Sequence, residues 1–323
     1  MIFEVVNVKR NLKVLLTGGA GFIGSHLAER LLADGCRVVV LDNLYAGKLQ
    51  NLKRCLDNPN FHFVKGDIRD KKIVDGVTVG VDAVIHQAAI TSVPLSIKNP
   101  KFVYSVNVAA TVSLLKSCVK NDVARFIFAS SAAVYGAAKK MPISENAPTR
   151  PLSPYGKSKL RVEKYCQKFW DEHGLETVCL RYFNVYGPRQ TAGQYAGAIS
   201  KFFDRLGDKL PPIIYGDGKQ TRDFVYVADV VEATVLALGC EKAAGKILNI
   251  GTGKATSVNQ LSRTFMKLMC RSGVEPKYVA LRAGDIRHSQ ADITKAKEIL
   301  GYKPRISLEL GLEKFIGWKF GEK

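Results

Sequence analysis

The chain of 323 residues is poor in several features that define other protein classes. Its seven cysteines (36, 55, 118, 166, 179, 240 and 270) are scattered, odd in number and never paired as C-x-x-C. That excludes a disulfide framework and a zinc site, and most of them read as small buried hydrophobes. No apolar run approaches the roughly 18 residues of a membrane helix, and Met1 to Arg10 carries Glu4, Lys9 and Arg10 where a secretory peptide needs an apolar core. The expectation is a cytoplasmic protein without a membrane partner. Ser/Gly linkers, low-complexity segments and internal repeats of roughly 20 to 50 residues are lacking too, which excludes repeat arrays. Acidic side chains are few, 29 against 48 basic, giving a formal charge of +19. The basic residues are nevertheless spread from Lys9 to Lys323, with no run longer than a pair such as Lys71-Lys72, and no zinc-finger or RNP pattern accompanies them. Nucleic acid is therefore not expected as a partner, and the dispersed positive charge suits steering of small anions.

What is present is concentrated near the N-terminus. Thr17-Gly18-Gly19-Ala20-Gly21-Phe22-Ile23-Gly24 follows the apolar run Lys13 to Leu16 and leads into Ser25 to Leu32, where apolar residues recur at helical spacing. Glycines at 18, 21 and 24 remove Cβ atoms where a strand turns sharply into a helix, so a pyrophosphate can approach the N–H groups of the helix start. A second strand, Arg37 to Leu41, ends in Asp42, placed to accept hydrogen bonds from an adenosine ribose. A carboxylate there repels a 2′-phosphate, so the pattern predicts NAD rather than NADP.

Strand and helix patterns then alternate. Apolar strands at 61–64, 81–86, 125–129 and 177–181 are interleaved with helical segments such as Asn107 to Lys120 and Lys157 to His173. This predicts an α/β fold, a doubly wound parallel (Rossmann) sheet with a smaller α/β substrate lobe. The NAD-binding domain is expected at 1–186 with returning segments at about 223–253, and the lobe at 187–222 and 254–323. Ligands sit beyond the carboxyl ends of such strands, where this chain collects Gly18, Asp42, Asp67, Ala88-Ala89, Ser130-Ser131 and Asn184.

Tyr155 and Lys159 lie four residues apart at the start of a helix and so share a face. A free phenol titrates near 10, and lowering it by about 3 units takes roughly 4 kcal/mol. A neighbouring ammonium and the positive nicotinamide ring both favour the phenolate, which can abstract a hydroxyl proton while hydride leaves the same carbon. Ser131, at a strand end between the nucleotide loop and this pair, supplies a third role. Arg222 and Arg282, each beside apolar neighbours, suit a buried diphosphate or uridine. His86, at a strand end, is expected to be packed rather than catalytic, and His288 is given no proton-transfer role. Tyr165, Phe169 and Trp170 are expected to pack on another helix or a second subunit.

The order T-G-G-A-G-F-I-G, Asp42, Gly66-Asp67-Ile68, His86-Gln87-Ala88-Ala89, Ser130-Ser131-Ala132-Ala133-Val134-Tyr135-Gly136, Tyr155-x-x-x-Lys159, Arg181 to Pro188 and Arg222-Asp223-Phe224-Val225 resembles the extended short-chain dehydrogenase/reductase family, in its nucleotide-sugar epimerase branch. Gly284 to Ile293 and Ser92 to Ile97 resemble the UDP-glucose and UDP-N-acetylglucosamine 4-epimerases within that branch. The resemblance implies tightly held NAD, Ser131 on the sugar's 4-oxygen, Tyr155 as base and acid, and Lys159 on the nicotinamide ribose. It further implies cofactor contacts from Phe22, Ile23, Asn43, Asp67, Ile68, Gln87, Ala88, Ala89, Asn107 and Tyr182. UDP-sugar contacts are implied for Ser92, Asn184, Arg222, Arg282 and Asp285, and a homodimer through helices near 100–120 and 157–172. The branch's dehydratases and decarboxylases carry an acidic residue just after Ser131, where this chain has Ala132-Ala133. Ser289 stands where the 4-epimerases place a size gate, a tyrosine restricting the site to glucose and galactose and a small residue admitting N-acetyl groups.

Overall fold

The computed structural model of the chain describes residues 11–190, 197–281 and 285–321. Seven parallel strands form its centre: β1 (Lys13–Thr17), β2 (Arg37–Asp42), β3 (Phe61–Lys65), β4 (Ala83–His86), β5 (Arg125–Ser131), β6 (Glu176–Tyr182) and β7 (Ile247–Ile250), in the spatial order β7-β6-β5-β4-β1-β2-β3. β1 is apolar on both sides, as a sheet covered by helices on both faces requires. Val14 and Leu16 pack into the core that holds Leu27 and Leu31, and Leu15 into the core that holds Leu114 and Phe126. Strand order reverses at β1, which pairs with β2 on one side and β4 on the other, and the crevice beyond their carboxyl ends is where such sheets bind ligands.

The helices are α1 (Phe22–Ala33), α2 (Lys71–Val77), α3 (Val93–Lys98), α4 (Pro100–Lys120), α5 (Pro154–His173), α6 (Ala198–Gly207), α7 (Val227–Gly239), α8 (Val258–Leu268), α9 (Thr294–Leu300) and α10 (Leu308–Gly321). α1 and α7 pack together on one face of the sheet, and α2, α4 and α5 on the other.

α4 starts seven residues before the helical segment read from the sequence. Asn99 caps it, its Oδ1 accepting the Phe102 N–H at 3.1 Å, and Pro100 fits its first turn. The helix widens to a π turn over Ser105–Ala110. It also corrects the expectation about apolar runs, because its 21 residues are long and apolar enough to cross a membrane by length and composition alone. Half of that stretch is buried inside the protein, against α5 and the sheet.

Beyond β6 the chain makes three short strand pairs: Asn184–Tyr186 with Phe224–Tyr226, Thr221–Arg222 with Thr256–Ser257, and Ile213–Tyr215 with Lys277–Val279. Phe202, Phe203, Phe265 and Phe315 of this part join the core that holds Val14 and Leu16, so apolar packing runs unbroken from the sheet into it. Asp223 fastens the two together. It is fully buried, and its carboxylate accepts from Thr252 N (2.8 Å), Thr252 Oγ1 (2.6 Å), Gly253 N (2.9 Å) and Ala291 N (3.1 Å). Burial raises its affinity for a proton and these four donors oppose that. Trp170 packs within the chain, against the turn at Gly245, where an added Cβ would lie 2.6 Å from its Nε1. All seven cysteines are free, with Cys270 exposed, and the described residues contain no cluster of metal-ligating side chains.

Candidate active site

The glycine turn makes one wall of a groove of about 540 Å³ at the carboxyl ends of β1, β2, β4 and β5. Gly18 has φ of +70°, and a Cβ there would lie 2.6 Å from Ala88 N, so only glycine lets the turn after β1 close against the turn after β4. At Gly24 a Cβ would come within 2.2 Å of Gly18 O, which sets how closely α1 can lie on the turn. No side chain caps α1 at Gly21, and Phe22 and Ile23 line the groove, leaving the first N–H groups of the helix facing it. This is the donor set a pyrophosphate requires.

The acidic residues of the groove are held rigidly. Asp42 is buried, its Oδ2 accepting from Ala20 N at 3.0 Å and its Oδ1 from Leu44 N at 2.8 Å; burial pushes its carboxyl up and the two N–H groups oppose this. Asp67 receives Nε (2.9 Å) and Nη2 (2.8 Å) of Arg69 and the Asn43 amide (2.8 Å), which hold it well below the usual carboxylate range. Arg69 also lies 5.5 Å over the Phe102 ring, which meets Tyr45 at 6.0 Å. These three residues line the groove and have no motif of their own in the sequence. From β4 come Gln87, Ala88 and Ala89, with the Gln87 Nε2 donating to the Tyr182 hydroxyl at 3.1 Å.

At the inner end of the groove Ser131, Tyr155 and Lys159 converge. Ser131 ends β5 and Tyr155 begins α5, whose start is fixed by Ser153 Oγ accepting from Gly156 N at 3.1 Å. Desolvation raises the Tyr155 phenol and its hydrogen bond with Ser131 lowers it. The Lys159 ammonium is buried, donates to Ala129 O at 2.7 Å, and lies 4.8 Å over the Phe128 ring and 5.9 Å from the Tyr155 ring centre. Burial brings it down to about 8, with Glu163 pulling upward. Lys159 thus stands beside Tyr155 without a hydrogen bond between them, its ammonium donating to Ala129 O instead.

A second cavity of about 330 Å³ adjoins the first, and Asn184, Val185, Gln190 and Gly197 line both. Arg222 and Asp285 line the second and pair at 2.5 Å. Gln220 lines it too: its Nε2 donates to Tyr215 O at 2.8 Å, while its buried Oε1 has no partner among the described residues.

Three expected contacts lie elsewhere. Asn107 lines neither cavity. Its amide is spent on Ile90 N (2.8 Å), Ile90 O (3.0 Å) and Ser158 Oγ (3.0 Å), so it ties the π turn of α4 to the loop after β4 and to α5. Ser92 caps α3, accepting from Leu95 N at 3.1 Å. Ser289 is buried and lines neither cavity, with its backbone N–H donating to Thr221 O at 3.1 Å. Arg282 lies outside the described residues. His86 is packed as expected, although its partners are side chains: Nδ1 meets Thr17 Oγ1 at 2.6 Å and Nε2 meets Thr111 Oγ1 at 2.8 Å.

A parallel sheet with a glycine-turn groove, an acidic ribose position and a Ser–Tyr–Lys cluster at the groove's inner end defines a dinucleotide-dependent enzyme of the short-chain dehydrogenase/reductase type. Residues 14–251 match the model of the NAD dependent epimerase/dehydratase family, and the chain belongs to it. It is similar to a putative UDP-glucose 4-epimerase of Methanocaldococcus jannaschii, 43% identical over 94% of this chain and 97% of that one. Among solved structures it is similar to the UDP-glucose 4-epimerase of Thermotoga maritima with UDP-glucose, 39% identical at a TM-score of 0.90 over 96% of this chain and 99% of that one. It is also similar to the UDP-N-acetylglucosamine 4-epimerase of Methanobrevibacter ruminantium in complex with UDP-N-acetylmuramic acid, 35% identical at a TM-score of 0.92 over 97% and 100%.

Proposed function

We propose that this protein interconverts UDP-hexoses epimeric at C4, UDP-glucose with UDP-galactose and also the N-acetylated pair, using NAD that it retains. The observation that carries this reading is that Ser131, Tyr155 and Lys159 line a groove suited to a dinucleotide, and that this groove shares Asn184, Val185, Gln190 and Gly197 with a second cavity carrying Arg222 and Asp285. Reversible hydride acceptance at C4 is the chemistry that would be supplied there by NAD. Asn43, Asp42, Asp67, Gln87 and the start of α1 would hold it.

The residues of this chain account for the proton and the orientation. Tyr155 Oη takes the proton of the 4-hydroxyl and later gives it back, and Ser131 Oγ, which lines the same groove, fixes that oxygen beside it. Lys159 places a buried positive charge 5.9 Å from the Tyr155 ring centre, and such a charge favours the phenolate. Arg222 is the cation placed for the diphosphate, and Asp285 keeps it oriented until an anion takes part of its charge. Residues 132–134, a single 3-10 turn after Ser131, carry no carboxylate, which speaks against a dehydratase or decarboxylase needing an additional acid there. A homodimer through α4 and α5 belongs to the same reading; Ile97 and Tyr104, beside that face, are 64% and 48% exposed.

The test incubates purified protein with UDP-glucose, UDP-N-acetylglucosamine and UDP-glucuronate, follows absorbance near 340 nm and separates the products. Epimeric products from the first two, without added cofactor, are expected. Turnover of UDP-glucuronate alone, or dependence on added NADPH, would refute the reading.

A further inference from the structure

Tyr155, Lys159 and Glu163 stand four residues apart on α5 and share one face of the helix. Two of them dock on the end of β5, Lys159 donating to Ala129 O at 2.7 Å and Glu163 Oε1 accepting from Ser130 Oγ at 2.5 Å, while Ser131 at the same strand end opposes the desolvation that raises the Tyr155 phenol. The mechanism above uses the first two and leaves Glu163 without a role. Its carboxylate is almost completely buried, and Arg181 of β6 grips it with Nε on Oε1 at 2.9 Å and Nη2 on Oε2 at 2.7 Å. Arg181 Nη1 goes on to the Tyr135 hydroxyl at 2.8 Å and to Glu145 O at 3.1 Å, and Tyr135 donates to Asn249 Oδ1 at 2.6 Å.

We propose that Glu163 is a positioning residue of the Tyr155–Lys159 pair, its buried carboxylate being the counter-charge that holds the Lys159 ammonium beneath Tyr155 and against Ala129. The proposal rests on the epimerase reading only for the assignment of Tyr155 as base.

Two cations, Lys159 and Arg181, lie in a region otherwise packed with Phe128, Val162, Cys166 and Cys179, and the Glu163 carboxylate, bonded to Arg181, stands one helical turn from Lys159. A buried charge without compensation is expelled or neutralised. Glu163 is the leading influence keeping the ammonium protonated against burial. Glu145 also brings a carboxylate to the cluster, but it accepts from Asn249 N at 2.8 Å and acts on Tyr135 rather than on Lys159. His86 on β4 is pushed down to about 3 and stays neutral, and burial and hydrogen bonding push the Cys179 thiol on β6 well up. Cys166, one turn beyond, pairs with Cys179, and Tyr135 is pushed up to about 12. Arg181 carries its charge throughout. Removing the Glu163 charge therefore leaves Lys159 the group that must yield its proton.

The test is a double-mutant cycle of Glu163→Gln and Lys159→Met on the protein with its bound cofactor, read as Tm at pH 7 without sugar. The Tm loss caused by Glu163→Gln is expected to shrink by half or more when residue 159 is already Met, since the cation being balanced is gone. An equal loss in both backgrounds means that Glu163 serves Arg181 alone and overturns the proposal. Should Glu163→Gln fail to fold, the same cycle with Glu163→Asp, which keeps the charge and withdraws it by one methylene, carries the same two outcomes. In turnover, the alkaline limb of kcat is expected about one pH unit lower in Glu163→Gln, a tenfold change in the ammonium's proton affinity, with Glu163→Asp in between. Unmoved limbs beneath a lowered plateau would overturn the proposal as well. Coupling in the cycle with no UDP-sugar turned over would refute the epimerase reading and leave this role of Glu163 standing.

Discussion

Acid should dismantle this protein partly through one residue outside the chemistry, His86. Its ring joins Thr17, the last residue of β1 before Gly18, to Thr111 on α4. The Thr111 hydroxyl donates to Asn107 O at 2.8 Å, which leaves it an acceptor toward the ring. Nε2 of His86 therefore carries the hydrogen, and Nδ1 accepts from Thr17. A second proton would have to enter at Nδ1, against a hydroxyl oxygen that also receives the Ala88 N–H at 3.3 Å, in a site 1% exposed and within the field of Lys159. Desolvation, then Lys159, push the imidazole down to about 3. The unfolded chain titrates near 6.5, so it binds the proton first and stability falls as pH drops from about 6.5 toward 3. At pH 5 the loss from this one group is about 2 kcal/mol. With an unfolding entropy of about 2.1 cal/mol/K per residue, 323 residues convert that into a drop of about 3 °C in Tm. Thermal melts at pH 7.5 and 5.0 of the native protein and of His86→Gln check it, because the carboxylates that titrate in the same range cancel in the comparison. The native protein should lose about 3 °C more than the variant. Equal losses would refute both the neutral assignment and the tautomer.

The remaining predictions concern the groove and the sugar. Tyr155→Phe should lower kcat roughly a hundredfold or more while leaving UDP-sugar affinity nearly unchanged, since it removes the proton acceptor and none of the diphosphate contacts; steady-state kinetics with isothermal titration of UDP decide this, and near-normal kcat would remove Tyr155 as the base. Gly18→Ala should lose bound NAD, because φ of +70° and the 2.6 Å approach to Ala88 N leave no room for a methyl group; cofactor released on denaturation, measured against the native protein, checks it. Because Ser289 is buried and lines neither cavity, Ser289→Tyr should lower kcat/KM for the N-acetylated pair and for UDP-glucose and UDP-galactose alike, and a selective loss of the acetylated pair would refute this placement.

The sequence determined most of the scaffold by itself. Glycine spacing, an acid at a strand end and apolar runs of strand length are local consequences of backbone geometry and burial. They are enough to predict a parallel sheet, a phosphate turn at Gly18, Gly21 and Gly24 with Asp42 beyond it, and the shared face of Tyr155 and Lys159, whereas Phe22 and Gln87 enter only through the family resemblance. The start of α4 was missed because apolar helical spacing obscured its real signal, the Asn99-Pro100 cap. Contacts that depend on which elements become neighbours were decided only by the tertiary structure. Arg69, Phe102 and Tyr45 come from three separate segments and meet only because β2, β3 and α4 end at one crevice. Asn107 has the chemistry of a ligand contact, yet the π turn aims its amide at Ile90 and Ser158. Glu163 reads as one more charge on a helix until β6 places Arg181 against it. Charge compensation in a dry interior depends on distances across the fold, and a chain's linear order does not contain them.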